Sequence, residues 1–253
     1  MYLDRLRLDG RHAFITGGGR GIGLATGMAL AEAGARVTLS DMSAEILASG
    51  VAAMAAAGHA AGSVVLDVTD AGAVTAAADA AGETDILIAN AGIAWPDTPA
   101  EDMPDAAWLK VVDVDLNGVF WCARAFGKSM LARGSGAVVA VGSMSGLISN
   151  TPQRQAHYNA AKAGVHHLVK SLAGEWAPRG VRVNAVAPTY VATDMTLGTL
   201  QTTDMGRTWM AMTPMARLAQ PEEIATVIAF LASDAASAMT GAIVPVDCGY
   251  TIW

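Results

Sequence analysis

Short apolar, β-branched runs alternate along this chain with stretches of helical spacing, and that alternation limits the fold more than any other feature. The runs are Ala13–Thr16, Arg36–Ser40, Ser63–Asp67, Asp85–Ala89, Gly136–Val141, Val181–Ala187 and Ile243–Val246. Helices are predicted over Gly21–Ala33, Ser43–Ala57, Asp70–Ala80, Pro104–Ala132, Pro152–Ala177 and Pro221–Ser233. Strands separated by helices need crossover connections, so the strands lie parallel in one sheet with helices on both faces. Runs such as DILIA and GAVVAV are apolar throughout, as strands buried on both faces require. The expected architecture is α/β: a doubly wound parallel sheet of about seven strands in a single domain over 1–253. The Ala- and Gly-rich stretch from Val51 to Gly82 keeps a hydrophobic spacing that suits small helices packed closely on a sheet.

Composition excludes several classes. With 53% hydrophobic and 15% charged residues the chain is not intrinsically disordered. A net charge of -7 without a basic cluster argues against a nucleic-acid partner. Cys122 and Cys248 are too few for a disulfide framework and lack metal-site spacing. No stretch reaches the roughly 18 strongly apolar residues of a membrane span, and MYLDRLRLDGRH has no apolar signal core. A soluble, cytoplasmic protein is the expectation. Residues 189–219, rich in Thr and Met, read as a substrate loop; the alternative is a pair of small helices completing the core.

The first strand runs into Thr16-Gly17-Gly18-Gly19-Arg20-Gly21-Ile22-Gly23 and then into a helical run. Glycines here let the backbone turn sharply and approach a pyrophosphate at a helix N-terminus, the signature of a Rossmann-type dinucleotide site. The second strand ends at Asp41, where a carboxylate can accept both adenosine ribose hydroxyls and repel a 2′-phosphate. Asp41, followed by Met42 rather than a basic residue, favours NAD; Arg20 pulls towards NADP; and Asp41 can also be read as a helix cap, a role Ser43 serves equally well. Asp67-Val68 and Asn90-Ala91-Gly92 follow the third and fourth strands, placing Asp67 to meet the adenine amino group and Asn90 and Gly92 to shape the cleft floor.

Tyr158 and Lys162 are four apart in a helical stretch and share a face. An ammonium beside a phenol favours the phenolate, which suits Tyr158 to acid–base work at neutral pH. Ser145 precedes Tyr158 by 13 positions and can donate to a substrate oxygen, while Asn117 is a polar residue inside the apolar LNGVFW run, where a kinked helix and an ordered water would partner it.

Over essentially its whole length the sequence resembles the short-chain dehydrogenase/reductases. TGGGRGIG, NAG, Ser145, YNAAK, RVNAVAP and the Gly241–Gly249 region carry the resemblance. It implies a catalytic tetrad of Asn117, Ser145, Tyr158 and Lys162, with the family's interval to the tyrosine selecting Ser145 over Ser143. It further implies a dinucleotide cradle that takes in Gly17, Gly19, Gly21, Ile22, Gly23 and Pro188, with Lys162 on the nicotinamide ribose and Val191 and Thr193 on carboxamide and phosphates. GSMSGLISNTPQ, YVATDMTL, MTPMARL and VDCGYTIW look closest to the family's polyol dehydrogenases. Thr189, Cys248 and Ala89 depart from the usual Gly, Gly and Asn.

The substrate side is expected to draw on Ser145, Leu147, Asn150, Gln153, Tyr158 and Tyr190. Asn150 and Gln153 suit a neighbouring hydroxyl, whereas Trp95, Met144, Met195, Trp209 and Met212 either line an apolar pocket or belong to the core. His157 points to another face than Tyr158 and reads as structural. The resemblance suggests a homotetramer, in which the terminal carboxylate of Trp253 would hold a structural Mg²⁺. The sequence thus predicts an NAD-dependent oxidoreductase of polyols or vicinal diols. Its rivals are an NADPH-dependent ketone or 3-oxoacyl reductase and a non-catalytic dinucleotide-binding sensor.

Overall fold

The computed structural model describes residues 1–253, with side chains at every position except 201 and 202. The strands are β1 (His12–Thr16), β2 (Arg36–Asp41), β3 (Ala61–Val65), β4 (Ile86–Ala89), β5 (Gly136–Val141), β6 (Val181–Pro188) and β7 (Ile243–Val246). They form one seven-stranded sheet in the order β3-β2-β1-β4-β5-β6-β7, with every pairing parallel. In register, Ile15 of β1 faces Leu39 on one side and Ile88 on the other. The winding reverses between β1 and β4, which opens a crevice at the carboxyl ends of the strands.

The helices are α1 (Gly21–Glu32), α2 (Ala44–Ala56), α3 (Ala71–Ala81), α4 (Asp105–Val112), α5 (Gly118–Arg133), α6 (Ala156–Trp176), α7 (Asp194–Thr202), α8 (Met205–Met212) and α9 (Pro221–Ala232). Strand side chains alternate between faces, so each strand feeds two cores. Phe14, Leu87 and Val138 pack with Val74, Phe126 and Val165 of α3, α5 and α6. Ile15, Ile88 and Val139 pack with Leu30, Leu47 and Ile228 of α1, α2 and α9. Each fully buried Phe, Leu or Ile stabilises the fold by about 2 kcal/mol. Phe14 and Phe126 rings meet at 4.5 Å between centroids, tying β1 to α5 across the first core.

Local signals set the helix ends. Ser43 Oγ accepts the Ile46 N–H to start α2, and Asp70 Oδ1 accepts the Gly72 and Ala73 N–H groups to start α3. Pro221 and a Gln220–Glu223 capping box start α9, and left-handed Gly134 stops α5.

Four expectations need correction. The strand expected at Ser63–Asp67 runs instead over Ala61–Val65, leaving Asp67 in the turn beyond it. The helix expected to begin at Pro152 begins at Ala156. The helix expected over Pro104–Ala132 is interrupted by a π-helical turn at Asp113–Asn117. Residues 189–219 are not one long loop: they carry α7 and α8, and Val191 bridges Ala219. Among the described residues no helix is long and apolar enough to cross a membrane.

Candidate active site

The glycine turn closes tightly on itself. A Cβ at Gly23 would lie 2.1 Å from the Gly17 carbonyl oxygen, and Gly17 itself has φ +61°, so neither position accepts a side chain. A Cβ at Gly19 would meet Ile46 at 2.7 Å, which brings the turn against α2. Gly18 N–H donates to the Ser40 carbonyl at 2.8 Å. Asn90 Nδ2 donates to the Thr16 and Gly17 carbonyls, both at 2.9 Å. Asn90 is therefore a brace that fixes the turn from β4. The result is a bare backbone cradle at the N-terminus of α1, which fits a pyrophosphate.

Around this cradle, Asp41 ends β2 half-buried, and its Oδ1 accepts the Ser43 N–H at 3.2 Å. The N-cap of α2 is Ser43, as the rival reading of Asp41 allowed. Met42 is exposed beside it and Ile22 packs against the second core. Arg20 is exposed, 4.0 Å from Asp194 of α7. Gly21 lies close to Thr193, the residue capping α7, while Pro188 and Val191 are buried on the far side of the crevice. Asp67 is exposed and accepts the Thr69 N–H and hydroxyl, which hold its carboxyl below the usual range. Val68 is buried, and a Cβ at Gly118 would strike it at 2.7 Å.

The reactive side chains meet at the end of β5. Lys162 is buried, with Nζ 3.0 Å from the Val141 carbonyl and 5.5 Å from the centre of the Tyr158 ring. The two serines are ordered in series: Ser143 hydrogen-bonds the Tyr158 phenol, and its hydroxyl donates to Ser145 Oγ at 3.0 Å. Gln155 Nε2 also reaches Ser145, at 3.3 Å. Ser143 thus lies against the phenol, and Ser145, which accepts from both Ser143 and Gln155, keeps its own hydrogen free to donate.

Asn117 ends the π-helical turn that interrupts its helix. Its Nδ2 donates to Asp113 Oδ1 at 2.8 Å, along its own helix. The residue that faces Lys162 is Asp115, fully buried, with Oδ1 3.2 Å from Nζ. Residues two apart on a helix do not share a face, so one of them excludes the other. Sequence reasoning missed Asp115, although an acid set among Val114, Leu116 and Val119 was the signal that it needed a buried partner. Burial pushes the Tyr158 ionisation up, Lys162 opposes that, and Asp115 reinforces the rise.

A family model described as Enoyl-(Acyl carrier protein) reductase matches residues 17–251. Galactitol 2-dehydrogenase of Rhizobium johnstonii is 52% identical over 256 residues, covering 100% of this chain and 99% of that protein. The chain belongs to the short-chain dehydrogenase/reductase family. The crystal structure of gox2181 superposes with a TM-score of 0.97 at 52% identity and full coverage of both chains. A probable NADP-dependent mannitol dehydrogenase of Yarrowia lipolytica is 41% identical, covering 98% of this chain and 90% of that one.

In this family member the substrate-side residues are tied to one another. Gln153 Nε2 donates to the Tyr190 hydroxyl at 2.7 Å, and Gln153 Oε1 accepts the Trp209 indole N–H at 2.9 Å. Asn150 Nδ2 reaches the same Tyr190 hydroxyl at 3.3 Å, while its Oδ1 is buried without a partner. Gln153 uses both ends of its amide to lock α8 onto Tyr190. Burial and Tyr250 push the Tyr190 phenol far up, so it stays protonated. Leu147, Trp95 and Met195 are exposed around the opening, Met144 and Trp209 are buried, and Tyr250 reaches Met212 with its hydroxyl. His157 is buried with Nδ1 against its neighbour's N–H, in keeping with a structural role. Trp253 is exposed, its indole N–H on the Met212 carbonyl at 3.3 Å. Among the described residues no three His, Cys, Asp or Glu side chains gather as a metal site.

Proposed function

We propose that this protein is an NAD-dependent dehydrogenase that interconverts a secondary alcohol of a polyol or vicinal diol with its ketone. One observation carries the reading: Tyr158, with Lys162 one helical turn away and Ser143 on its hydroxyl, stands at the same sheet edge as the glycine cradle. When bound, the dinucleotide supplies the hydride acceptor or donor. Gly17, Gly19, Gly21 and Gly23 would hold its pyrophosphate, Asp41 its adenosine ribose, Lys162 its nicotinamide ribose, and Pro188, Val191 and Thr193 its nicotinamide end.

In oxidation the Tyr158 phenolate takes the proton of the substrate hydroxyl, and Ser145, whose hydrogen is free because its oxygen accepts from Ser143 and Gln155, donates to the substrate oxygen and holds it in line. Lys162 keeps a positive charge beside the phenol, so the phenolate forms at lower pH than burial alone would allow. In reduction the same phenol returns the proton to the carbonyl oxygen. Asn150, with a buried carbonyl oxygen lacking a partner, gives the site an acceptor suited to a second hydroxyl. The galactitol dehydrogenase relative supports a polyol, and so do the uncharged polar side chains of Ser145, Asn150, Gln153 and Tyr190. The exposed Trp108, Leu109 and Trp253 suit burial between copies in a homotetramer, which light scattering in solution tests.

A second reading, an NADPH-dependent ketone reductase, draws on Arg20 beside the glycine turn and on the NADP-dependent mannitol relative. Asp41 opposes it, since its carboxylate would repel a 2′-phosphate. The deciding experiment measures kcat/KM with NAD and NADP over galactitol, mannitol, threitol and their ketoses. Turnover of a polyol with NAD preferred is expected; turnover confined to NADP and ketone reduction would establish the second reading, and no turnover on any of them would overturn both.

A further inference from the structure

The Asp115–Lys162 pair has no part in the reaction as derived above, yet it is the most deeply buried ion pair among the described residues. Asp115 lies on the π-helical turn, fully buried, and Lys162 is 3% exposed. The turn after β4 seals the pair from above. Ile93 N–H donates to both Asp115 oxygens, at 3.3 and 3.2 Å, and a Cβ at Gly92 would strike Asp115 Oδ1 at 2.6 Å and approach Lys162 Nζ at 3.5 Å. Water is therefore excluded from a charge pair that is joined, through Lys162, to the acid–base phenol.

An ammonium has three hydrogens to donate. One of those on Lys162 goes to the Val141 carbonyl and one to Asp115. Two of three are fixed by protein, which orients the third and holds the stem of Lys162 beneath the Tyr158 ring. The charge has a second consequence. A carboxylate so near the ammonium cancels part of the field that Lys162 exerts on the phenol.

We propose that Asp115 is a positioning residue that anchors the Lys162 ammonium and, as its counter-ion, sets the pH at which Tyr158 becomes a base. The inference deepens the dehydrogenase reading and rests on it for its kinetic test alone. The charged and titratable groups facing the pair are few. From α6 they are His157, Tyr158 and Lys162, with His166 behind Lys162; Ser143 meets the phenol from the end of β5. Asp113, on the same π turn, is occupied by Asn117. Burial raises the Asp115 ionisation and Lys162 lowers it, while Asp115 holds Lys162 charged against its own desolvation. Removing the carboxylate leaves a more positive site, from which the shared Tyr158–Lys162 pair gives up a proton more readily.

The test compares wild type with Asp115→Asn, which keeps shape and removes charge. The acidic limb of the pH profile of kcat/KM for polyol oxidation is expected to move to lower pH by about one unit or more in Asp115→Asn. A limb that stays put or moves up, in enzyme that still depends on Tyr158, would overturn the inference and leave the function standing. A second arm needs no turnover. Alkaline titration of phenolate absorbance, each protein minus its Tyr158→Phe counterpart, reads Tyr158 in the coenzyme-free wild type and in Asp115→Asn, or in Asp115→Ser where circular dichroism shows the first variant unfolded. A lower midpoint in the variant than in wild type is expected; an equal or higher midpoint would overturn the proposal whatever the substrate proves to be.

Discussion

Tyr190 lies flat on Trp209, with ring centroids 3.9 Å apart and planes inclined by 11°. The stack joins the end of β6 to α8, and Gln153 clamps it by bonding both rings' polar atoms. The clamp fixes α8 against Tyr190 and Gln153, two residues proposed for the substrate side. Gln153→Met fills the same volume and loses both bonds. It is expected to raise KM for the polyol about tenfold, the loss of one to two net hydrogen bonds, while kcat falls far less. Steady-state kinetics check this; equal loss in kcat and kcat/KM would show that Gln153 acts on the chemistry instead.

Ser143 and Ser145 differ in what they touch, so their removal should differ too. Ser145→Ala takes the free donor from the substrate oxygen, and is expected to cost ~10² in kcat. Ser143→Ala removes the hydroxyl that orients Ser145 and should cost less than tenfold. Tyr158→Phe removes the acid–base group and is expected to cost at least ~10³ in turnover. NADH binding, followed by fluorescence titration, should survive all three substitutions. A Ser143→Ala enzyme more damaged than Ser145→Ala would reverse the order of the two serines.

The alternation of strands and helices, and the glycine cluster with its bracing Asn90, were legible because they follow from local sequence. Pleat, apolar runs and φ-restricted turns leave marks in residue type. The partner of Lys162 on the π-helical turn was not legible in the same way. It depends on rotation about the helix axis by a fraction of a turn. A sequence read as one helix from Pro104 to Ala132 cannot show that an extra residue enters the turn at Asp113–Asn117. That residue decides which side chain faces inwards, and it turns Asp115 to Lys162 and Asn117 to Asp113. The role of Gln153 was hidden for a different reason: its partner Trp209 is 56 residues away.

Asp41 offers the clearest handle on coenzyme choice. Its Oδ1 is held by the Ser43 N–H, so the carboxylate sits in a fixed position at the end of β2. Asp41→Ala removes both the acceptor for ribose hydroxyls and the charge that repels a 2′-phosphate. The ratio of kcat/KM for NAD over NADP is expected to fall by at least ~10-fold, the value of one charge-assisted bond. Kinetics with the two coenzymes at fixed polyol give the ratio directly. An unchanged ratio would assign the selection to Arg20 or another group.

His166 predicts how stability depends on pH. The imidazole is buried beneath the serine turn, where a Cβ on Gly142 or Gly146 would meet its ring at 2.4 and 2.7 Å, and neither ring nitrogen has a side-chain partner. Burial, reinforced by Lys162 and Lys170, lowers its ionisation from 6.5 to about 4. Between those values the unfolded chain binds the proton and the fold does not. The sign follows: this contribution is fully present above pH 6.5 and is lost as pH falls towards 4. At the acid end of that window the loss amounts to as much as ~3 kcal/mol, from a shift of two to three units. His166→Leu removes the titrating group, and its urea midpoint should vary less with pH across the window than that of wild type. Because the ring supports the turn carrying Ser143, the wild-type protein should also lose activity on the same acid limb as it loses stability. A His166→Leu midpoint that falls as steeply as wild type would assign the acid sensitivity to carboxylates that the fold holds below their usual range, Asp97 and Glu223 among them.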